Sequence, residues 1–162
     1  MVYATAVRLL GDPADAEDAA QTVFLKAFER FEDVRDSSAA GGWLKTTTRN
    51  VCLNHLSRYR ARWRFFSEID DRAEGGGGYE GSLASTDLAV DDAFDLAVAS
   101  EALEHAVRAL PDHQRVPLVL FHFEDTSYED IARALGVSLG KVKTDIHRGR
   151  QALRRLLTPS EP

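Results

Sequence analysis

Apolar residues recur at steps of three and four through most of this chain, and that spacing predicts an all-α fold. Met1 to Leu10 reads as a helix that begins abruptly. Gly11-Asp12-Pro13 is a turn signal, with Pro13 or Asp15 starting the next helix. That helix, roughly Ala14 to Phe31, carries Ala16, Ala20, Val23, Phe24, Ala27, Phe28 and Phe31 at a period of about 3.6 residues, a stripe expected to face a core. Glu32 to Gly42 reads as loop, and Trp43 opens a long helix running to about Arg64. Helix returns near Asp91, with Phe94, Ala97, Val98, Ala102, Leu103, Val107 and Leu110 as its apolar set. Pro111 is expected at a helix N1 position. Asp112 to Phe123 continues the pattern, and Pro117 inside it predicts a local kink.

The last stretch, SYEDIARALGVSLGKVKTDIHRGRQALRRLL from Ser127 to Leu157, is the most sharply punctuated. Ser127 is placed to cap a short helix, with Glu129 and Asp130 in its first turn, at the positive end of the helix dipole. Gly136 stands where a left-handed cap ends it. Ser138 caps a second helix, along which Val142, Ile146, Gly149, Leu153 and Leu156 form one buried stripe. Two helices joined by a tight glycine turn make a helix-turn-helix. The outward face of the second carries Lys141, Lys143, Arg148, Arg150, Arg154 and Arg155 against one acid, Asp145, with Thr144, His147 and Gln151 interleaved. Such a helix suits a DNA major groove. A solvated basic face on an ordinary helix bundle is the alternative.

Charge divides the chain more sharply than the total of −6 over 162 residues suggests. Lys45, Arg49, Arg58, Arg60, Arg62 and Arg64 fall between positions 45 and 64 without one acid. Trp43, Tyr59, Trp63, Phe65 and Phe66 interleave with them, which suits phosphate contacts beside stacking on unpaired bases; the same aromatics would equally serve as core. Between Ser67 and Glu101 acids dominate, with Gly75 to Gly78 in the middle. Residues 67–90 therefore read as a flexible acidic linker between two small helical domains, 1–66 and 91–158, the second containing the helix-turn-helix. About 24 flexible residues span about 25–30 Å on average, and extended they reach sites one to two DNA turns of about 34–36 Å apart.

Other chemistries find little footing. The single cysteine, Cys52, excludes an internal disulfide and reads as a buried small hydrophobe. Cys52 and His55 lack a second ligand pair for zinc. No nucleophile, base or paired-carboxylate arrangement stands out, so neither a catalytic site nor a metal or cofactor is expected. No apolar run approaches the roughly 20 residues of a membrane span, and the expected location is the cytoplasm.

In this order, four stretches resemble the extracytoplasmic-function (ECF) branch of bacterial RNA polymerase sigma factors: LLGDPADAEDAAQTVFLKAFERF, WLKTTTRNVCLNHLSRYRARWR, ALPDHQRVPLVLFHFEDTSYEDIARALGVS and KVKTDIHRGRQALRRLL. The resemblance implies a subunit that directs core polymerase to promoters and helps open the DNA. It places Asp15, Asp18, Gln21 and Phe24 on the face that docks on the clamp helices of the largest polymerase subunit. Lys45, Arg49, Asn50, Arg60, Trp63 and Arg64 would recognise and melt the minus-ten element, with Asn50 contacting an extruded base. Lys141, Lys143, Thr144, His147, Arg148 and Arg150 would read the minus-thirty-five element. Residues near Leu110, Val116 and Leu120 would support docking on the flap of the second-largest subunit, and an anti-sigma factor is the expected restraint. Thr47 and Thr48 replace a common Ile-Ala pair, which would loosen that helix's packing. Asp145 stands where a basic residue is usual, and either repels phosphate or accepts from a cytosine amino group. An adaptor that binds polymerase without melting DNA, or a stand-alone helix-turn-helix regulator, is the alternative.

Overall fold

The computed structural model describes residues 1–35, 38–57 and 93–158. All its regular elements there are helices: α1 (Val2–Leu10), α2 (Pro13–Glu29), α3 (Phe31–Val34), α4 (Ala40–Ser57), α5 (Ala93–Ala109), α6 (Asp112–His122), α7 (Tyr128–Leu135) and α8 (Leu139–Leu157). The acidic linker at 67–90 lies outside the described residues, as do Arg60, Trp63 and Arg64.

Local chemistry sets the helix ends. Gly11 closes α1 in the left-handed conformation, φ 76°, with its N–H on the Val7 carbonyl. The Asp12 side chain then accepts from the N–H groups of Ala14 and Asp15, satisfying donors that a helix start leaves unpaired, while Pro13 supplies a first residue needing no donor. α4 starts at Ala40, three residues before the expected Trp43, because the Trp43 N–H already closes a turn on the Ala39 carbonyl at 2.9 Å. Pro111 precedes α6 as its N-cap rather than its first residue. Pro117 sits buried within α6, which continues as one helix on either side.

α1, α2 and α4 pack on one another, α6, α7 and α8 do likewise, and α5 joins the second group by packing on α8. The two groups share one core. Ala6, Leu9, Leu10, Ala16, Cys52 and Leu56 from the first cluster with Val107, Val116, Val119, Leu120, Ile131, Val142 and Ile146 from the second. Full burial of a Leu or Val contributes about 1.5–3 kcal/mol, so this shared core is a substantial part of what holds the body together.

Polar contacts line the seam between the groups. Arg115 is only 4% exposed and crosses it: Nη2 donates to the Leu10 carbonyl at 3.0 Å, Nη1 to the Leu110 carbonyl at 2.8 Å, and Nη2 also reaches Asp112 Oδ1 at 2.6 Å. The carbonyls at the end of α1 would otherwise lack partners. Thr5 Oγ1 donates to the buried Glu124 carboxylate at 3.2 Å. Arg8 forms a two-pronged ion pair with Glu104 and lies over the Phe123 ring. Lys45 approaches Asp125 at 3.6 Å.

The expected stripe of α2 is half right. Ala16, Ala19, Ala20 and Val23 are buried, but Phe24, Phe28 and Phe31 are 56%, 79% and 54% exposed, joined by exposed Leu25. Among the described residues these side chains stay largely open, so helical period marks a face without telling what lies on it. Leu156 is likewise exposed at the far end of the α8 stripe, past Val142, Ile146 and Gly149, which are buried. Ala102 is exposed on α5, and Ala106 takes the buried place.

Candidate nucleic-acid interface

Serine caps fix both helices of the helix-turn-helix. Ser127 accepts from the Asp130 N–H and Ser138 from the Lys141 N–H, both at 3.2 Å. Between them Gly136 is left-handed at φ 66°, the turn the sequence called for. α8 then lies close on α6. A Cβ at Gly149 would meet Leu118 Cδ1 at 2.8 Å, so a residue without a side chain sets how near the two helices come.

On the outward side of α8, Lys143, Thr144 and His147 are exposed, and Arg148 and Arg150 are partly buried. Thr144 Oγ1 donates to the Gly140 carbonyl at 3.0 Å. Arg150 Nε donates to His122 Nε2 at 3.1 Å, with its guanidinium 5.7 Å from the Phe121 ring centre. Phe121 in turn stacks on Tyr128. An imidazole nitrogen accepts only when unprotonated, and burial, followed by the neighbouring Arg150 charge, lowers the His122 pKa. Neutral His122 therefore steadies one cation of this face.

Asp145 overturns both sequence-based expectations for it. It is 1% exposed, not on the outward face, and its carboxylate holds Lys141 Nζ at 2.9 and 3.1 Å. At about 100° per residue Asp145 lies about 40° from Gly149 and about 60° from Val142, on the inner half of the helix. That count was available in the sequence.

In the other helix group, Asn50 is exposed on α4 and Lys45 and Arg49 are half-buried. Thr48 is 1% exposed, and its buried hydroxyl finds its partner inside the helix, donating to the Leu44 carbonyl at 2.7 Å. Cys52 is buried, its thiol pushed up to about 12 by burial and by the Glu124 charge. On α2, Asp18, Gln21 and Phe24 are exposed together and Asp15 is half-exposed. Beside them the exposed Leu25, Phe28 and Phe31 extend an apolar surface that sequence reasoning had assigned to the core, Leu25 excepted. Leu110, Val116 and Leu120 are core, at 3%, 1% and 0% exposure. They cannot meet a polymerase flap in this arrangement, because the shared core already covers them.

Residues 1–63 match the family description Sigma-70 region 2, and residues 100–153 match Sigma-70, region 4. Over 154 residues the chain is 35% identical to the RNA polymerase sigma-H factor of Pseudomonas aeruginosa, covering 94% of this chain and 78% of that one. The chain belongs to the ECF family of RNA polymerase sigma factors. The ECF sigma factor SigE of Mycolicibacterium smegmatis is 34% identical across 96% of this sigma factor and 57% of its own length. The sigma factor RpoE of Bartonella quintana, solved in complex with the anti-sigma factor NepR, superposes with a TM-score of 0.51 at 26% identity, covering 99% of this chain and 91% of that one. As a sigma factor the chain directs core RNA polymerase to promoters for the initiation of transcription. The helix-turn-helix belongs to the part matching region 4, and α1, α2 and α4 to the part matching region 2.

Proposed function

We propose that α8 reads the minus-thirty-five element through Lys143, Thr144, His147, Arg148 and Arg150. The cationic outward side of a doubly capped helix-turn-helix, with no acid exposed on that half of α8, carries this reading. Asn50, Lys45 and Arg49 on α4, with Arg60, Trp63 and Arg64 beyond the described residues, act at the minus-ten element. Phosphate contacts and stacking there offset the few kcal/mol needed to unstack a base. Opening thus draws on binding energy, and the chain carries out no catalysis of its own.

Asp15, Asp18, Gln21 and Phe24 form the polymerase-docking face on the clamp helices, and the adjoining exposed aromatics of α2 suit such a partner. The protein acts in the cytoplasm; no described helix is long and apolar enough to cross a membrane. The likeness to RpoE, captured with NepR, supports an anti-sigma partner here too. The adaptor alternative loses one support, since the buried Asp145 puts no acid on the reading face.

Abortive transcription with core polymerase on a pool of promoter fragments tests the proposal. Transcripts should come from fragments sharing two spaced elements, and Arg148→Ala should relax preference in the upstream one. Polymerase binding without transcripts from any fragment would favour the adaptor.

A further inference from the structure

Lys141 and Lys143 look alike in sequence, two cations at the start of the same basic helix, yet the structure treats them oppositely. Lys143 is exposed, whereas the Lys141 side chain is 16% exposed and lies against a carboxylate that is itself 2% exposed. Both Asp145 oxygens are within 3.1 Å of the ammonium. We propose that Asp145 is a positioning residue that holds the Lys141 ammonium against the flank of α8, so that Lys141 makes no phosphate contact and the DNA-facing set begins at Lys143.

A buried contact and an exposed one compete for the Lys141 ammonium. Swinging Lys141 out to a phosphate would break two contacts of 2.9 and 3.1 Å to a carboxylate nearly closed to water, and parting a buried ion pair is costly. A phosphate contact at the solvent-exposed rim of an interface returns much less, because it replaces hydrated and screened groups. Geometry agrees. Lys141 lies about 120° around the helix from His147 and about 160° from Lys143, while His147 and Lys143 are about 40° apart. A lysine one turn before a buried aspartate therefore belongs to the wall of the domain. Three consequences follow: the upstream element is read with one cation fewer than the sequence offers, the N-terminal turn of α8 is braced, and Asp145 contributes without touching DNA.

This inference rests on α8 being the DNA-contacting helix, and the test separates the two. Each phosphate contact steepens the fall of log K with log salt by about 0.9. The full chain would be titrated onto a labelled random-sequence duplex of about three helical turns, across about 50–200 mM salt. Asp145→Asn releases Lys141, and the double variant Lys141→Met/Asp145→Asn removes both charges of the pair together. Wild type and double variant should share one slope, with Asp145→Asn steeper than both by about 0.9. If Asp145→Asn instead matches wild type and the double variant is shallower by about 0.9, Lys141 already touches phosphate and the inference is wrong. Lys143→Ala is the control. A slope unmoved by it, or no binding by wild type, would sink the DNA-contact reading of α8 and this inference with it.

A readout without DNA stands beside this. In competitive acetylation of the folded wild-type chain, Lys141 should react several-fold more slowly than Lys143, and Asp145→Asn should bring the two rates together. Equal rates in wild type would overturn the proposal even if α8 does bind DNA.

Discussion

Arg115 offers the sharpest test of how the body is held together. Its side chain donates to the carbonyls of Leu10, in α1, and Leu110, just before α6, at 3.0 and 2.8 Å, both good geometry. The approach of Nε to Leu9 at 3.4 Å is marginal, and Asp112 is 55% exposed, so that ion pair adds less than about 1 kcal/mol. Hydrogen bonds from a charged donor contribute about 1.5–3 kcal/mol each, and two of them give about 3–6 kcal/mol for Arg115→Ala. Arg115→Met should recover little of this, because it restores apolar volume while the two carbonyls stay without their donor. Urea unfolding followed by far-UV circular dichroism, with linear extrapolation to water, measures the loss. A domain of this size has about 5–15 kcal/mol in total, so the midpoint should shift conspicuously. A change below about 1 kcal/mol with an unaltered slope would refute the reasoning, since it would mean water replaces the guanidinium without cost.

Further expectations attach to single groups. The Cys52 thiol, pushed up to about 12, should stay unreactive toward a disulfide reagent in the folded protein and react fully on denaturation; prompt labelling of the native chain would contradict its burial. His122 has a pKa lowered from 6.5, so between that value and its folded one the unfolded chain holds a proton that the folded chain lacks. Stability should therefore fall as pH drops below about 6.5, and His122→Gln should fall less over the same range, with equal losses in both proteins counting against the account. Gly11→Ala should cost more than about 1 kcal/mol, being left-handed and placing a Cβ 2.6 Å from the Arg115 guanidinium carbon. Gly140→Ala, where a Cβ meets nothing within 4 Å, should be neutral or stabilising by about 0.5–1 kcal/mol. A comparison of melting curves for the two variants decides it.

The parts of this molecule that were legible in its sequence are those fixed by neighbours along the chain. Ser127, Gly136 and Ser138 act within a turn of themselves, so the helix-turn-helix and its caps follow from the letters alone. Gly11, Asp12 and Pro13 mark the α1–α2 corner for the same reason. Arg115 looked like any cation on an amphipathic helix, because its partner carbonyl at Leu10 is 105 positions away and carbonyls carry no sequence signature. Phe24 and Phe28 have core spacing, but burial needs a second surface, and periodicity names only the first. Asp145 is a simpler case: its charge suggests the outward face, and its angle around the helix puts it on the inner one. The same residue type reads as an intruder on a basic face and as an anchor on the inner one, and its position around the helix decides between them.

The seam of Arg115, Thr5–Glu124 and Arg8–Glu104 also sets a threshold for partners. A ligand that recognises only the parted form sees its intrinsic affinity multiplied by the fraction of molecules that are open. Each 1.4 kcal/mol of seam strength lowers that fraction, and the apparent affinity with it, about tenfold. A ligand that grips both halves as they stand meets no such discount. Leu110, Val116 and Leu120 become available only to the first kind. The strength of one buried guanidinium thus bears on which visitors the protein admits at a given concentration, as well as on how well it folds.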